Sequence, residues 1–157
     1  MEFYPARHEQ SGLSAACLED GSVVVRRGAE VLSTLRLFGD GFRARYSEWL
    51  VEPRLEFSPD GAWLAVSYGM GYVYLAESQT GRVTAEFSSL IWVPDPRGVR
   101  HRALVRFVDG DTLVYLSREK TANRLRRGTD GIWRPAGKLS PEEGREIMGE
   151  EFSLCCP

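Results

Sequence analysis

Histidine and cysteine are the side chains best suited to acid–base, nucleophilic or metal chemistry near neutral pH, and this chain contains few of them. It has two histidines, His8 and His101, and two of its three cysteines, Cys155 and Cys156, are adjacent. The sequence contains neither the Gly-x-Ser-x-Gly motif of a serine nucleophile nor the His-Glu-x-x-His motif of a zinc site. We therefore expect no catalytic residues and a protein that is not an enzyme.

Three short motifs could bind a metal ion or a phosphate, but each is better explained by local structure. Two neighbouring thiolates do not easily fill two corners of a tetrahedral site, so we interpret Cys155-Cys156 as part of a disordered tail. Asp109-Gly110-Asp111 has the composition of a tight turn. Gly69-Met70-Gly71 precedes an alternating strand, whereas phosphate-binding glycine loops lead into a helix. We expect no metal and no cofactor.

Asp-Gly pairs divide the chain into apolar segments, because Asp-Gly supplies the positive φ angles of tight hairpin turns. Three of the five pairs have alternating strands on both sides: Asp20-Gly21, Asp60-Gly61 and Asp109-Gly110. Aligned on these turns, the chain contains three similar units, at about residues 13–38, 54–88 and 102–135. A period of about 40 to 50 residues with about four strands is typical of a propeller blade.

Two segments interrupt this pattern, and the end of the chain departs from it. Gly39 to Pro53 could hold the fourth strand that the first unit lacks. Ser89 to His101 contains prolines that exclude a central strand. Near the end, Ser140 and Glu143 form a capping box around Pro141, which predicts a short C-terminal helix over about residues 141–150.

The most regular stretch is LEFSPDGAWLAVSYGMGYVYLAESQTGRV, Leu55 to Val83. It resembles a blade of the WD-repeat and TolB-like β-propeller superfamily, through Phe57-Ser58-Pro59-Asp60-Gly61, Leu64-Ala65 and Thr80-Gly81. The resemblance is best over residues 55–83 and weaker over 102–134 and 13–38. The family's terminal Trp-Asp is absent, since Tyr74-Leu75-Ala76-Glu77 stands in that region. The resemblance implies a scaffold for protein contacts more often than an enzyme.

The number of units limits the fold. A closed propeller needs at least four blades, roughly 160 residues, and this chain offers three units and a helix. The chain could be a fragment, an open stack capped by the helix, a ring closed by a second copy, or a sandwich built from the same hairpins. We predict a mainly β, antiparallel fold with propeller-blade-like sheet units in one compact domain, residues 1–157, as an incomplete propeller or sandwich with a short C-terminal helix.

Charge is distributed unevenly along a chain of net charge −2. Residues 95–127 contain nine basic and four acidic side chains, whereas residues 139–157 contain five glutamates and one arginine. The basic segment could bind an acidic partner or RNA, with the acidic tail as its internal mask. Alternatively it is a solvated strand face, because Arg100/Arg102 and Arg124/Arg126 show period-two spacing. Overall net charge argues against general nucleic-acid binding.

Aromatic residues supply the candidate contacts with a protein partner. Tyr72 and Tyr74 share one face of a predicted strand, and Val73 and Leu75 take the other, so either face could pack in a core. Tyrosine-rich faces with nearby arginine make good protein-binding surfaces. The candidate partner-binding residues are Tyr68, Tyr72, Tyr74, Trp49, Trp92, Arg100 and Arg102.

These observations favour a non-enzymatic protein-binding domain, in sharper form a small cytoplasmic inhibitor or immunity-like protein. The N-terminal MEFYPARHEQ lacks the apolar core of a secretion signal, no apolar run approaches a membrane span, and an odd cysteine count suits a reducing compartment. We expect a cytoplasmic location, no membrane association, and a second copy as a possible partner that completes the ring. The alternatives are a hydrolase or small-ligand-binding β domain, and an RNA-binding module that uses residues 95–127.

Overall fold

The computed structural model describes residues 2–37, 53–68, 71–89, 92–95, 98–101 and 103–156. Within these ranges the chain folds into three four-stranded antiparallel sheets, one two-stranded hairpin and two short helices. Each four-stranded sheet keeps its strands in sequence order. The predicted class is confirmed: the fold is mainly β, with blade-like antiparallel sheet units and helix at the C-terminal end.

The first sheet begins at the N-terminus, which the sequence pattern did not indicate. Its strands are β1 Glu2–His8, β2 Leu13–Leu18, β3 Val23–Arg27 and β4 Glu30–Leu35. Pro5 lies where the β1–β2 register shifts, between Phe3 and Ala6. A proline is tolerated there because β1 is an edge strand and the irregularity removes the need for its missing N–H.

Strand β1 supplies the fourth strand of the first sheet, so the expectation that Gly39 to Pro53 holds it is wrong; most of that segment lies outside the described residues. Asp20-Gly21 consequently joins the second and third strands of its sheet, not the first and second. The first strands of the three sheets begin at Glu2, Arg54 and Val105, a repeat of about fifty residues.

The second and third sheets follow the predicted hairpins closely. The second contains β5 Arg54–Phe57, β6 Trp63–Tyr68, β7 Tyr72–Glu77 and β8 Val83–Ser88. A hairpin of β9 Trp92–Asp95 and β10 Gly98–His101 connects it to the third. The third contains β11 Val105–Asp109, β12 Thr112–Leu116, β13 Ala122–Arg127 and β14 Trp133–Lys138.

The hairpin explains how prolines are accommodated between the sheets. Pro94 is in β9 and lies opposite Val99 of β10. Both strands of a two-stranded hairpin are edge strands, so the missing N–H of a proline costs little there. The predicted exclusion of a central strand therefore agrees with the observed pairing.

Apolar side chains form three successive core layers. Ala15, Val23 and Val25 of the first sheet pack with Leu64 and Val66 of the second. The other face of the second sheet packs on the third, through a cluster that includes Trp63, Val73, Leu75, Leu113 and Trp133. Alternation along each strand sends its side chains to opposite faces, so the second sheet is buried on both sides.

Two helices cover the outer face of the third sheet. They are α1 Pro141–Met148 and α2 Glu150–Cys155, and the predicted capping box of Ser140 and Glu143 is present. Their core layer joins Met148, Phe152 and Cys155 to the third sheet. Cys155 is 4% exposed, so the interpretation of this cysteine as part of a disordered tail is wrong. The described helices are eight and six residues long, too short to cross a membrane.

Candidate functional site

One end of the second sheet gathers several of the predicted partner-binding positions. Tyr68 lies opposite Tyr72, and Tyr72 lies opposite Ser88 at the end of β8. Ser89 donates its backbone N–H to the Gly71 carbonyl at 2.7 Å, so the chain leaves the sheet at the same edge. We call this edge, formed by Tyr68, Gly71, Tyr72, Ser88 and Ser89, the Tyr72 end.

Hydrogen bonds hold Ser89, which follows the last strand of the second sheet. Its hydroxyl donates to the Leu116 carbonyl at 2.8 Å and also contacts the Leu104 carbonyl at 3.4 Å, so it bridges the second and third sheets. Ser89 is fully buried. The hairpin that carries Trp92 and Arg100 follows Ser89 in the chain, and its strand β9 contacts helix α2.

The seven predicted partner-binding residues differ in how much of each the structure describes and in their exposure. Tyr68, Trp92 and Arg100 are described as strand positions only, and Trp49 and Arg102 lie outside the described residues. Tyr72 is 44% exposed, whereas Tyr74 is half-buried and packs against the core layer between the first and second sheets. Only Tyr72 of this set has a described side chain open to a partner.

Strand β7 packs in the core on both of its faces, so its aliphatic residues and Tyr74 contact different neighbouring sheets. Val73 and Leu75 are fully buried against the third sheet. Tyr74 faces the first sheet, and burial raises the pKa of its hydroxyl. Tyr72 differs because it is the first residue of the strand, and its side chain is exposed.

Several other described aromatic side chains pack between the sheets. Trp63 and Trp133 make an edge-to-face contact with ring centroids 5.6 Å apart. Phe87 and Tyr115 lie 4.5 Å apart between the second and third sheets. Tyr72 is the one aromatic residue among the large hydrophobic side chains that are exposed in the described part of the chain.

A second feature is a group of four charged side chains, three on the first strands of the second and third sheets and one on helix α2. Glu56 Oε2 lies 3.8 Å from Arg106 Nη1 and 4.0 Å from Arg54 Nε. Glu151 of α2 approaches both arginines, at 3.5 Å from Arg106 and 3.9 Å from Arg54. The side chains are only 21 to 26% exposed.

The ion pairs of Glu151 connect helix α2 to β5 and β11, the first strands of the second and third sheets. Desolvation by burial raises the pKa of Glu56, against the opposing effect of Arg106 and Arg54. Its other oxygen accepts the backbone N–H of Phe107 at 3.3 Å. Arg54 and Glu56 were not singled out from the sequence, because only the fold brings β5, β11 and α2 together.

Two glutamates of the acidic tail lie close to two arginines of the basic segment. Glu151 pairs with Arg106, and Glu143 of α1 lies 3.8 Å from Arg124. Arg127 pairs instead with Asp111, on the same sheet. Arg124 thus faces a helix, whereas Arg126 is exposed, so the two arginines with period-two spacing differ in their surroundings.

His8 connects the first two sheets. Its Nε2 lies 2.6 Å from the Pro59 carbonyl, which can only accept, so Nε2 carries the proton. Nδ1 lies 2.6 Å from Ser11 Oγ. The His101 side chain lies outside the described ones. Within the described residues, no group of three or more His, Cys, Asp or Glu side chains could hold a metal ion.

Comparisons with known proteins identify the fold. No protein-family model matches the chain, and no curated protein matches it. Among solved structures, the C-terminal WD40 domain of Sif2 has a TM-score of 0.61 at 16% identity, over 88% of this chain and 34% of that one. Hsv2 of Kluyveromyces lactis has a TM-score of 0.59 at 13% identity, over 88% of this chain and 47% of that one.

Sqt1 of Saccharomyces cerevisiae is also similar, with a TM-score of 0.55 at 12% identity, over 88% of this chain and 35% of that one. This chain spans less than half the length of these structures. At such identities the similarity concerns the fold alone. The chain therefore has the blade architecture of WD40 propellers, which confirms the resemblance found in its sequence.

Proposed function

We propose that this protein is a non-enzymatic protein-binding domain that contacts its partner through the Tyr72 end. The observation that carries the proposal is the 44% exposure of Tyr72. A tyrosine combines a large apolar ring with a hydroxyl and loses little conformational entropy on binding, so exposed tyrosines are frequent anchors of protein interfaces.

The surroundings of Tyr72 support the proposal. Tyr68 and Tyr72 are paired at this edge, and Trp92 and Arg100 belong to the hairpin that follows Ser89 in the chain. Tyrosine, tryptophan and arginine are the residue types enriched in interfaces. Ser89 holds the base of the hairpin between two sheets. A surface built on such a rigid base binds at a lower entropic cost.

A finer form of the proposal is an inhibitor or immunity-like protein that binds one protein target in the cytoplasm. The three cysteines, without a disulfide among the described residues, suit a reducing compartment. A second copy that completes the ring of sheets stays a further prediction. Helices α1 and α2 cover the outer face of the third sheet. A second copy would therefore have to bind another surface.

Site-specific photo-crosslinking in the cells that make the protein tests this surface. A photoreactive phenylalanine analogue replaces Tyr72 in one variant and Val83 in the control. Val83 is 40% exposed and is the first residue of strand β8, whereas Ser88 at the Tyr72 end is the last. We expect one abundant protein adduct from position 72 and none from position 83. Equal adducts from both positions, or no protein adduct from position 72, would contradict the proposal.

A further inference from the structure

The outer face of the first sheet carries a groove of about 440 Å³ that has no place in the function proposed above. Three of its lining residues form a row across neighbouring strands. Arg7 lies opposite Ser14, and Ser14 lies opposite Arg26. Directly opposite residues in antiparallel strands project from the same face, so two guanidinium groups flank one hydroxyl.

The position of this row on the sheet follows from strand alternation. Ala15 and Cys17, the neighbours of Ser14 and Ala16 along β2, are buried against the second sheet. Ser14 and Ala16 therefore point to the opposite face. Ala16 is 4% exposed and lines the groove, which gives it a small apolar floor between polar walls.

Two arginines and two glutamates line the groove, and the described ion pairs include only one of these arginines. Arg26 forms an ion pair with Glu2, at the rim of the same groove. Arg7 is exposed and makes no ion pair within the described part of the chain. Glu9 also lines the groove, in the turn that follows β1. Arg26 is thus paired with a carboxylate of this chain, whereas the Arg7 side chain is open to an incoming group.

We propose that this groove binds an acidic segment of a partner protein. One incoming carboxylate accepts hydrogen bonds from Arg7 and the Ser14 hydroxyl, and another replaces Glu2 on Arg26. Guanidinium groups suit this task, because their fork of N–H donors matches the two oxygens of a carboxylate. Glu2 acts as an internal competitor that must be displaced. This site is separate from the Tyr72 end and does not depend on it.

Fluorescence anisotropy with a fluorescein-labelled hexaglutamate peptide measures binding to the full chain. We expect saturable binding that weakens with salt. Arg7→Gln should weaken it about fivefold, the effect of one exposed charged contact. Glu2→Gln should strengthen binding severalfold, since the competing carboxylate is gone.

Matched substitutions separate the groove from general electrostatics. Arg126→Gln removes an exposed arginine from the third sheet, and Glu86→Gln removes an exposed glutamate from the second. Arg126→Gln changes the net charge as Arg7→Gln does, and Glu86→Gln changes it as Glu2→Gln does. We expect each of these two controls to change the affinity for the peptide less than twofold. Far-ultraviolet circular dichroism and thermal unfolding confirm that every variant is folded.

Several results would overturn the proposal. The first is the absence of saturable binding, and the second is an equal effect of Arg7→Gln and Arg126→Gln, which would indicate non-specific attraction. A single-stranded oligothymidine of matched charge that binds more tightly, with the same dependence on Arg7, would assign the groove to nucleic acid. Self-association abolished by Arg7→Gln in analytical ultracentrifugation would assign it to a second copy of this chain.

Discussion

Individual glycines mark where one sheet lies close to the next. Gly61, in the first turn of the second sheet, has a φ of +75°, and a Cβ there would lie 2.9 Å from Nδ1 of His8. Gly110 has the corresponding place in the third sheet, where a Cβ would lie 2.7 Å from Oδ2 of Asp60. In both turns, a polar side chain of the preceding sheet occupies the space that a larger residue would need.

Gly61→Ala tests this contact against a glycine with a similar φ angle. Gly131 has a φ of +79° and nothing within 4 Å of its Cβ position. Gly131→Ala should cost only the left-handed backbone strain, about 1 kcal/mol of the free energy of unfolding. Gly61→Ala should cost about 1 to 3 kcal/mol more, because His8 must shift. Urea unfolding of both variants measures the difference, and equal losses would show that the contact is unimportant.

The buried carboxyl of Glu56 should give stability a recognisable pH dependence. Its native pKa is raised above 4.5, so the folded state binds the proton more tightly than the unfolded state. Its contribution is greatest at low pH and is lost as pH rises through the raised native pKa. We expect the stability of the wild type relative to Glu56→Gln to fall as the pH rises from about 4.5 through the raised native pKa. Urea unfolding at several pH values tests this, and a flat or rising difference would contradict it.

At the scale of elements, the helix pair acts as the cover of the third sheet. Ser140 accepts the Glu143 N–H at 3.2 Å, which starts α1 where Leu139 enters the core layer. A Cβ on Gly144 would lie 2.8 Å from the Phe152 ring, so α1 and α2 cross closely. Helices this short depend on tertiary packing and capping rather than on intrinsic propensity.

Ser140→Ala should therefore destabilise helix α1, which helps to cover the third sheet. Loss of the N-cap acceptor should lower the free energy of unfolding by about 1 kcal/mol. Ser153→Ala, at an exposed position within α2, serves as the control and should change it by less than about 0.5 kcal/mol. Hydrogen exchange should also quicken for the α1 amides in Ser140→Ala. Unchanged exchange in α1 would show that packing alone holds the helix.

The elements also show what the sequence could indicate. Asp60-Gly61 and Asp109-Gly110 joined first and second strands as expected, because the turn residues and the flanking alternation are local signals. Gly61 has the positive φ expected of such a turn, whereas Gly110 does not. Strand β1 was missed because Pro5 and its charged neighbours obscure the alternation of an edge strand. The charged group around Glu56 was missed because its members come from β5, β11 and α2, and no local pattern brings them together.

At the scale of the whole molecule, the chain is a series of packed layers that differ at their two outer faces. The helices cover the third sheet, whereas the first sheet carries the groove lined by Arg7, Ser14 and Arg26. The middle sheet is buried on both faces and presents Tyr72 only at its edge. A partner can therefore reach the second sheet from the Tyr72 end without opening a core layer.

Quantitative affinity purification from the cells that make the protein tests the central claim most directly. Wild type, Tyr72→Ala and Val83→Ala are purified in parallel, and the recovered proteins and nucleic acids are measured. We expect wild type and Val83→Ala to recover one protein in stoichiometric amount, and Tyr72→Ala to lose most of it. Full recovery of that protein with Tyr72→Ala, or recovery of nucleic acid alone with the wild type, would contradict the account.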